Sequence, residues 1–148
     1  MRALAAIQSQ NICHCDLKPA NILVDVQSKF VKICDFAKAK YPQQDENLAQ
    51  NFEKRGDMIY RAPEVLIDGG DCSFKSDLWA VGCIIAEMMM GKPLFELRDN
   101  VSDQLDHILS LLGTPKAREM KVLDPQQKFA PNLKQYTAKD LSKMVQNK

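Results

Sequence analysis

His14-Cys15-Asp16-Leu17-Lys18-Pro19-Ala20-Asn21 is followed, after two short apolar runs, by Asp35-Phe36-Ala37. The two stretches supply two carboxylates, an ammonium and an amide. A carboxylate can take up a hydroxyl proton, and an ammonium can neutralise charge on a transferred phosphoryl group. Amide and carboxylate oxygens suit a hard divalent cation. Phosphoryl transfer from a magnesium-bound nucleotide could use such a set of groups. The runs Asn21 to Val26 and Phe30 to Phe36 are rich in Ile, Val and Leu, with polar Gln27-Ser28-Lys29 between them. That pattern predicts a hairpin of two short strands. Closing it would bring Asn21 and Asp35 together, as shared metal coordination requires.

The 148 residues, 45% of them hydrophobic, suffice for one domain with its own core. A net charge of +1 argues against an electrostatically driven partner, so neither nucleic acid nor a membrane surface is expected. No run of about eighteen apolar residues occurs, and the apolar part of Met1 to Gln8 is too short for a secretory signal. A cytoplasmic or nuclear location is the default. The five cysteines, Cys13, Cys15, Cys34, Cys72 and Cys83, are odd in number and lie mostly in apolar runs, which fits reduced thiols. Cys13-His14-Cys15 lacks the second Cys/His pair that zinc would need.

Residues 1 to 10 read as the end of a helix, with Leu4 and Ile7 on one side. From Lys38 to about Arg61 the chain is polar and aperiodic, a long loop of the kind that usually carries function. Ser76 to Met90 is apolar on almost every side and is expected to be a buried helix ended by Gly91, with Met88-Met89-Met90 filling core gaps. Ser102 to Leu112 is amphipathic and stops at Gly113 and Pro115, with His107 on its polar, solvated side. The periodicity weakens after Lys116, and Asp140 to Val145 is a candidate final short helix. No repeat or linker divides the chain.

These segments together resemble the large C-terminal lobe of a eukaryotic protein kinase. Tyr60-Arg61-Ala62-Pro63-Glu64 is similar to the motif that closes the activation segment in that family. Ser76-Asp77-Leu78-Trp79-Ala80-Val81-Gly82-Cys83 is similar to the buried helix behind it. Lys92-Pro93-Leu94-Phe95, Asp103-Gln104-Leu105 and Leu112-Gly113-Thr114-Pro115 resemble the CMGC group, most of all the glycogen synthase kinase family, with cyclin-dependent and mitogen-activated kinases next. An unrelated helical domain would have to produce four ordered matches by chance. The resemblance implies a mainly α (α+β) fold over residues 1 to 148 with a short hairpin. It also implies a partial kinase domain, in which the small lobe and the last helices are missing.

The resemblance further implies a serine/threonine kinase using ATP and Mg2+. Asp16 would take or orient the substrate hydroxyl proton, Lys18 would neutralise phosphoryl charge, and Asn21 and Asp35 would hold the metal. His14, Arg61, Glu64 and Asp77 would be structural supports, Asp77 anchoring the Asp16 loop. Glu64 would normally pair with an arginine of a later helix. Protein substrates bearing Ser/Thr, of the proline-directed or pre-phosphorylated kind, are the family expectation. The surface exposed where the small lobe would pack would favour association, so a partner covering it is a further expectation.

Three departures favour the alternative of a truncated or degenerate homologue that acts as a non-catalytic binding module. Cys15 stands where the family carries a phosphate-receiving arginine. Ala37 replaces a glycine, which penalises a positive φ by roughly 1 kcal/mol. Asp57 stands where relatives carry Ser or Thr, and an acid there could draw Lys18 away. The six glycines form no G-x-G-x-x-G phosphate loop, and no Val-Ala-Ile-Lys strand is present.

Overall fold

The computed structural model describes residues 1–42, 57–68, 72–124 and 133–146. Six helices and a two-stranded sheet make up these residues, so the fold is mainly α. The centre of the expected long loop, from 43 to 56, lies outside the described residues. No helix among those described is long and apolar enough to cross a membrane.

Helix α1 (Arg2–Ser9) buries Leu4 against Leu17, Ala80 and Ile84. The hairpin forms as expected, but with shorter strands. Strand β1 (Ile22–Asp25) pairs antiparallel with β2 (Phe30–Ile33), with Ile22 opposite Ile33. Asp25 starts the connecting turn by accepting the amide N–H groups of Gln27 (3.0 Å) and Ser28 (3.2 Å). Such self-capping by a short acidic side chain is a common turn device.

A 3-10 turn at Met58–Tyr60 leads into α2 (Pro63–Asp68), with Pro63 at the first helical position, where its missing N–H costs nothing. Helix α3 (Phe74–Met90) is the longest. Ser73 and Ser76 cap it reciprocally, and Gly91 ends it in the left-handed conformation (φ 70°) while donating its N–H to the Glu87 carbonyl at 2.7 Å. Helix α4 (Val101–Leu112) starts at Asn100, whose Oδ1 accepts the Asp103 amide at 2.9 Å. Two short helices follow, α5 (Ala117–Leu123) and α6 (Ser142–Gln146). The main core lies among α2, α3 and α4 and contains Met58, Leu66, Ile67, Cys83, Phe95 and Ile108. Trp79 stacks on Phe95 there, with centroids 5.9 Å apart and the rings 5° from parallel.

Three expectations need correction. Helix α3 is not buried all round: Leu78, Ile85, Met88 and Met89 are exposed, and of the methionine run only Met90 is core. The all-round apolar pattern marks what the helix could bury, and the described residues cover only one side of it. His107 is half-buried rather than solvated. Its Nε2 accepts the Glu96 amide at 3.2 Å, and its ring meets Phe95 edge-on at 6.2 Å. Burial and nearby Arg98 push its pKa down, because both disfavour the imidazolium. Finally, α2 and α5 arise where no periodicity announced a helix. Helix α2 has six residues and α5 buries none of its own, so neither leaves a repeating apolar stripe.

Gly113 ends α4 at φ 85° and ψ 156°, backbone that side-chain-bearing residues avoid. A Cβ at this position would lie 2.9 Å from the Ala138 backbone nitrogen. The close approach seats residues 133–139 on α4. Thr114 donates its N–H to the Tyr136 carbonyl (3.0 Å), Lys139 donates to the Leu111 carbonyl (2.8 Å), and the Tyr136 hydroxyl donates to the Asp106 carboxylate at 2.8–2.9 Å. Gly113→Ala should cost roughly 1–3 kcal/mol in urea unfolding and make residues 134–139 more protease-sensitive. Unchanged values for both would contradict this seating.

Candidate active site

The loop from His14 to Asn21 hangs from one buried carboxylate. Asp77, in the first turn of α3 and 1% exposed, accepts the His14 amide on Oδ2 (2.8 Å) and the Cys15 amide on Oδ1 (3.0 Å). Burial raises the Asp77 pKa, and these two N–H groups pull it back down. The amino end of a helix is a favourable place for such an anion. The anchoring requires Cys15 to sit at φ 66°, in the left-handed region.

His14 passes the constraint on. Its buried Nδ1 accepts the Asp16 amide (3.3 Å), which makes Nε2 the protonated nitrogen, and Nε2–H donates to the Cys34 carbonyl at 3.0 Å. Both ring nitrogens are thus engaged, so this His is a brace between two segments and is not available as a metal ligand. Phe36 packs edge-on against its ring at 4.8 Å. On the other side of the hairpin base, the Cys34 amide donates to the Asn21 carbonyl at 3.0 Å. The hairpin thereby brings Asn21 and Asp35 to one end, as the strand pattern required.

Asn21 is buried, and its Nδ2 donates to the Asp16 carbonyl at 2.8 Å. That bond uses the amide nitrogen and not the side-chain oxygen. Asp35 is exposed and adopts φ 64°. Its Oδ1 accepts the Ala37 amide at 3.3 Å. The left-handed residue is therefore Asp35 rather than Ala37: among the described residues, the non-glycine positions with positive φ are Asn11, Cys15, Lys29 and Asp35. The penalty expected at Ala37 does not arise in this conformation. Two oxygen donors on adjoining segments fit a magnesium ion, which retains several waters or phosphate oxygens and needs few protein ligands.

Asp16 is half-buried and ringed by cations. Its Oδ2 lies 3.2 Å from Lys38 Nζ and 3.5 Å from Lys18 Nζ. Lys18 reaches further, to Asp57 Oδ2 at 3.0 Å, the diversion anticipated from the acid at that position. The bond to Asp57 is the chief reason that the Lys18 pKa is raised. Lys38 was not foreseen. A lysine three residues past Asp35 carries no spacing signal, and only its long side chain brings it back to Asp16.

The remaining supports fall nearby. Arg61 and Tyr60 line the cleft that also contains Cys15, Asp16, Lys18 and Asp57. The Tyr60 hydroxyl donates to Glu87 Oε2 at 2.6 Å, a tie to α3 that sequence gave no sign of; burial and Glu87 together push the Tyr60 pKa up. Glu64, in α2, faces a separate hollow with Trp79, Leu112 and Pro115, and no basic side chain among the described residues pairs with it. Asp77→Ala should strand two amide donors at about 1–3 kcal/mol each. Amide exchange at His14 and Cys15 would accelerate sharply in that variant. Unchanged exchange would show that the loop is held by something else.

The family description Protein kinase domain matches residues 1–147. Glycogen synthase kinase 1 of Pyricularia oryzae is 40% identical over 124 residues, 84% of this chain and 30% of that protein. Protein kinase gsk3 of Schizosaccharomyces pombe is 38% identical over 125 residues, 84% of this chain and 31% of its own length. The glycogen synthase kinase-3 homolog YGK3 of Saccharomyces cerevisiae is 43% identical over 113 residues, 76% of this chain and 29% of that protein. The chain thus spans under a third of the curated relatives it matches. With the Asp16 loop, the hairpin and the Tyr60 to Glu64 turn in one matched stretch, the chain belongs to the protein kinase family.

Proposed function

We propose that these residues form the C-terminal-lobe part of a serine/threonine protein kinase, which moves the γ-phosphoryl group of ATP to a protein hydroxyl. The observation that carries this reading is the convergence of Asp16, Lys18, Asn21 and Asp35 at the base of one hairpin. Asp16 accepts the proton of the substrate Ser or Thr hydroxyl. Lys18 and Lys38 both meet Oδ2, so Oδ1 is the oxygen left for that hydroxyl. Lys18 lies close enough to Asp16 to reach the transferred phosphoryl as its charge shifts. Asn21 and Asp35 would hold Mg2+, which when bound neutralises phosphate charge and orients the nucleotide. His14 and Asp77 set the geometry without touching the reactants.

Phosphoryl transfer is catalysed mainly by positioning and electrostatics, so losing one of these groups is costly. Asp16→Asn and Asp35→Ala should each lower phosphotransfer to a Ser/Thr protein at least about 100-fold in the protein isolated from its source. Equal rates in all three proteins would sink the reading.

One contact favours a second reading, a homologue that has given up catalysis and acts as a binding module. Lys18 is nearer to Asp57 (3.0 Å) than to Asp16 (3.5 Å). Asp57→Ser would free Lys18 and should raise the turnover of an active kinase several-fold, an effect of the size of an exposed ion pair. A non-catalytic module would show no phosphotransfer before or after that change.

A further inference from the structure

Cys15 and Cys72 are two nucleophiles of the site region that the proposed phosphoryl transfer does not use. They line the same cleft, beside Asp16, Ser76 and Asp77. Both are tied to consecutive residues in the first turn of α3. The Cys15 amide donates to Asp77 Oδ1 at 3.0 Å, and the Cys72 Sγ lies 3.1 Å from the Ser76 hydroxyl. The first sulfur therefore sits on a loop fixed to α3, and the second on the residue just before the Ser73 cap. Cys15 is half-buried, and the cleft it shares with the buried Cys72 gives a small oxidant a way to both sulfurs, whereas Cys13 is buried and does not line that cleft.

We propose that Cys15 and Cys72 form a reversible, peroxide-sensitive disulfide that ties the His14 to Asn21 loop covalently to the start of α3.

The electrostatics run the same way. The Cys15 Sγ donates to the Cys13 carbonyl at 3.6 Å and the Cys72 Sγ meets the Ser76 hydroxyl, and the influence of each thiol on the other lowers the pKa of Cys72 and raises that of Cys15. Cys72 is therefore the sulfur that ionises first, with Cys15 holding the proton beside it. Its thiolate attacks hydrogen peroxide, the O–O bond breaks, and Cys72 becomes a sulfenic acid while the other oxygen leaves as water. The Cys15 sulfur then attacks the Cys72 sulfur. The S–S bond forms, the S–O bond breaks, and a second water carries off the oxygen and the thiol proton. Two thiols and one peroxide thus give one disulfide and two waters, and a dithiol reductant reverses the result.

The inference does not rest on kinase activity, and its test reads mass and stability. The full chain is treated with hydrogen peroxide under native conditions, free thiols are alkylated, and tryptic peptides are mapped. The expected product joins the peptide carrying Cys15 to the peptide carrying Cys72, with fragmentation separating Cys15 from Cys13. The intact mass falls by two hydrogens. The thermal midpoint rises by several degrees, because the bridge closes a long loop in the unfolded chain, and it returns with dithiothreitol. Cys15→Ser and Cys72→Ser should each abolish the joined peptide. A bridge through Cys13, cross-links only between chains, oxidation that stops at sulfinic acid, or an unmoved midpoint would each overturn the proposal. The mapping on the unaltered chain decides the matter even if a serine variant fails to fold.

Discussion

Two N–H···O bonds onto one buried carboxylate hold the site together. A backbone loop with a left-handed residue at Cys15 and two inward-facing amides would be unstable by itself, because buried donors without acceptors cost about 1–3 kcal/mol each. Asp77 removes that cost for His14 and Cys15 at once. It can do so because α3 presents it at the helix amino end, where the backbone dipoles favour a negative charge. The burial of Asp77 is itself expensive, and the raised pKa registers that expense. The loop and the carboxylate thus stabilise one another, and neither arrangement stands without the other.

From Asp77 the constraint travels through short bonds. His14, fixed through its backbone to Asp77, uses its ring to hold the Asp16 amide on one side and the Cys34 carbonyl on the other. Cys34 immediately precedes Asp35, and the Cys34 amide also holds the Asn21 carbonyl. Three segments distant in sequence, the start of α3, the Asp16 loop and the end of β2, therefore share one hydrogen-bonded frame. In such a frame a small displacement at one member is felt by the others, since buried polar networks tolerate little slack. Asp16 and Lys18 line the cleft beside this frame, and Asp35 is exposed at its edge.

Sequence revealed the parts of the site whose chemistry is tied to residue type, and the elements whose ends are marked. Asp16, Lys18, Asn21 and Asp35 stood out as candidates before any fold was known, and the hairpin pattern explained why the segments that carry Asn21 and Asp35 end side by side. Gly91 and Gly113 marked helix ends because a left-handed or extended cap is a local property. Other features depend on tertiary contacts, and no local pattern encodes them. Lys38 joins the site only through the reach of its side chain. The turn after β2 places its left-handed residue at Asp35 rather than Ala37, because the Asp35 carboxylate accepts the Ala37 amide. The exposed face of α3 was hidden by composition, since Leu78 and Ile85 look the same in sequence whether covered or not.

The Asp57 contact weighs less against catalysis than its distance suggests. Asp57 lies 3.0 Å from Lys18, but its side chain is 49% exposed, so water screens the pair, whereas Asp16 is 14% exposed. Ion pairs so open to solvent contribute about 0–1 kcal/mol. A phosphate group brings more charge and several acceptor oxygens to the same ammonium, and charge-assisted bonds in a site closed to water are the stronger ones. One kcal/mol corresponds to roughly a fivefold change in an equilibrium. By that measure Asp57 weakens the hold of Lys18 on a phosphate by no more than about fivefold. The acid at position 57 then sets a resting state for Lys18 and does not by itself remove the residue from the proposed reaction.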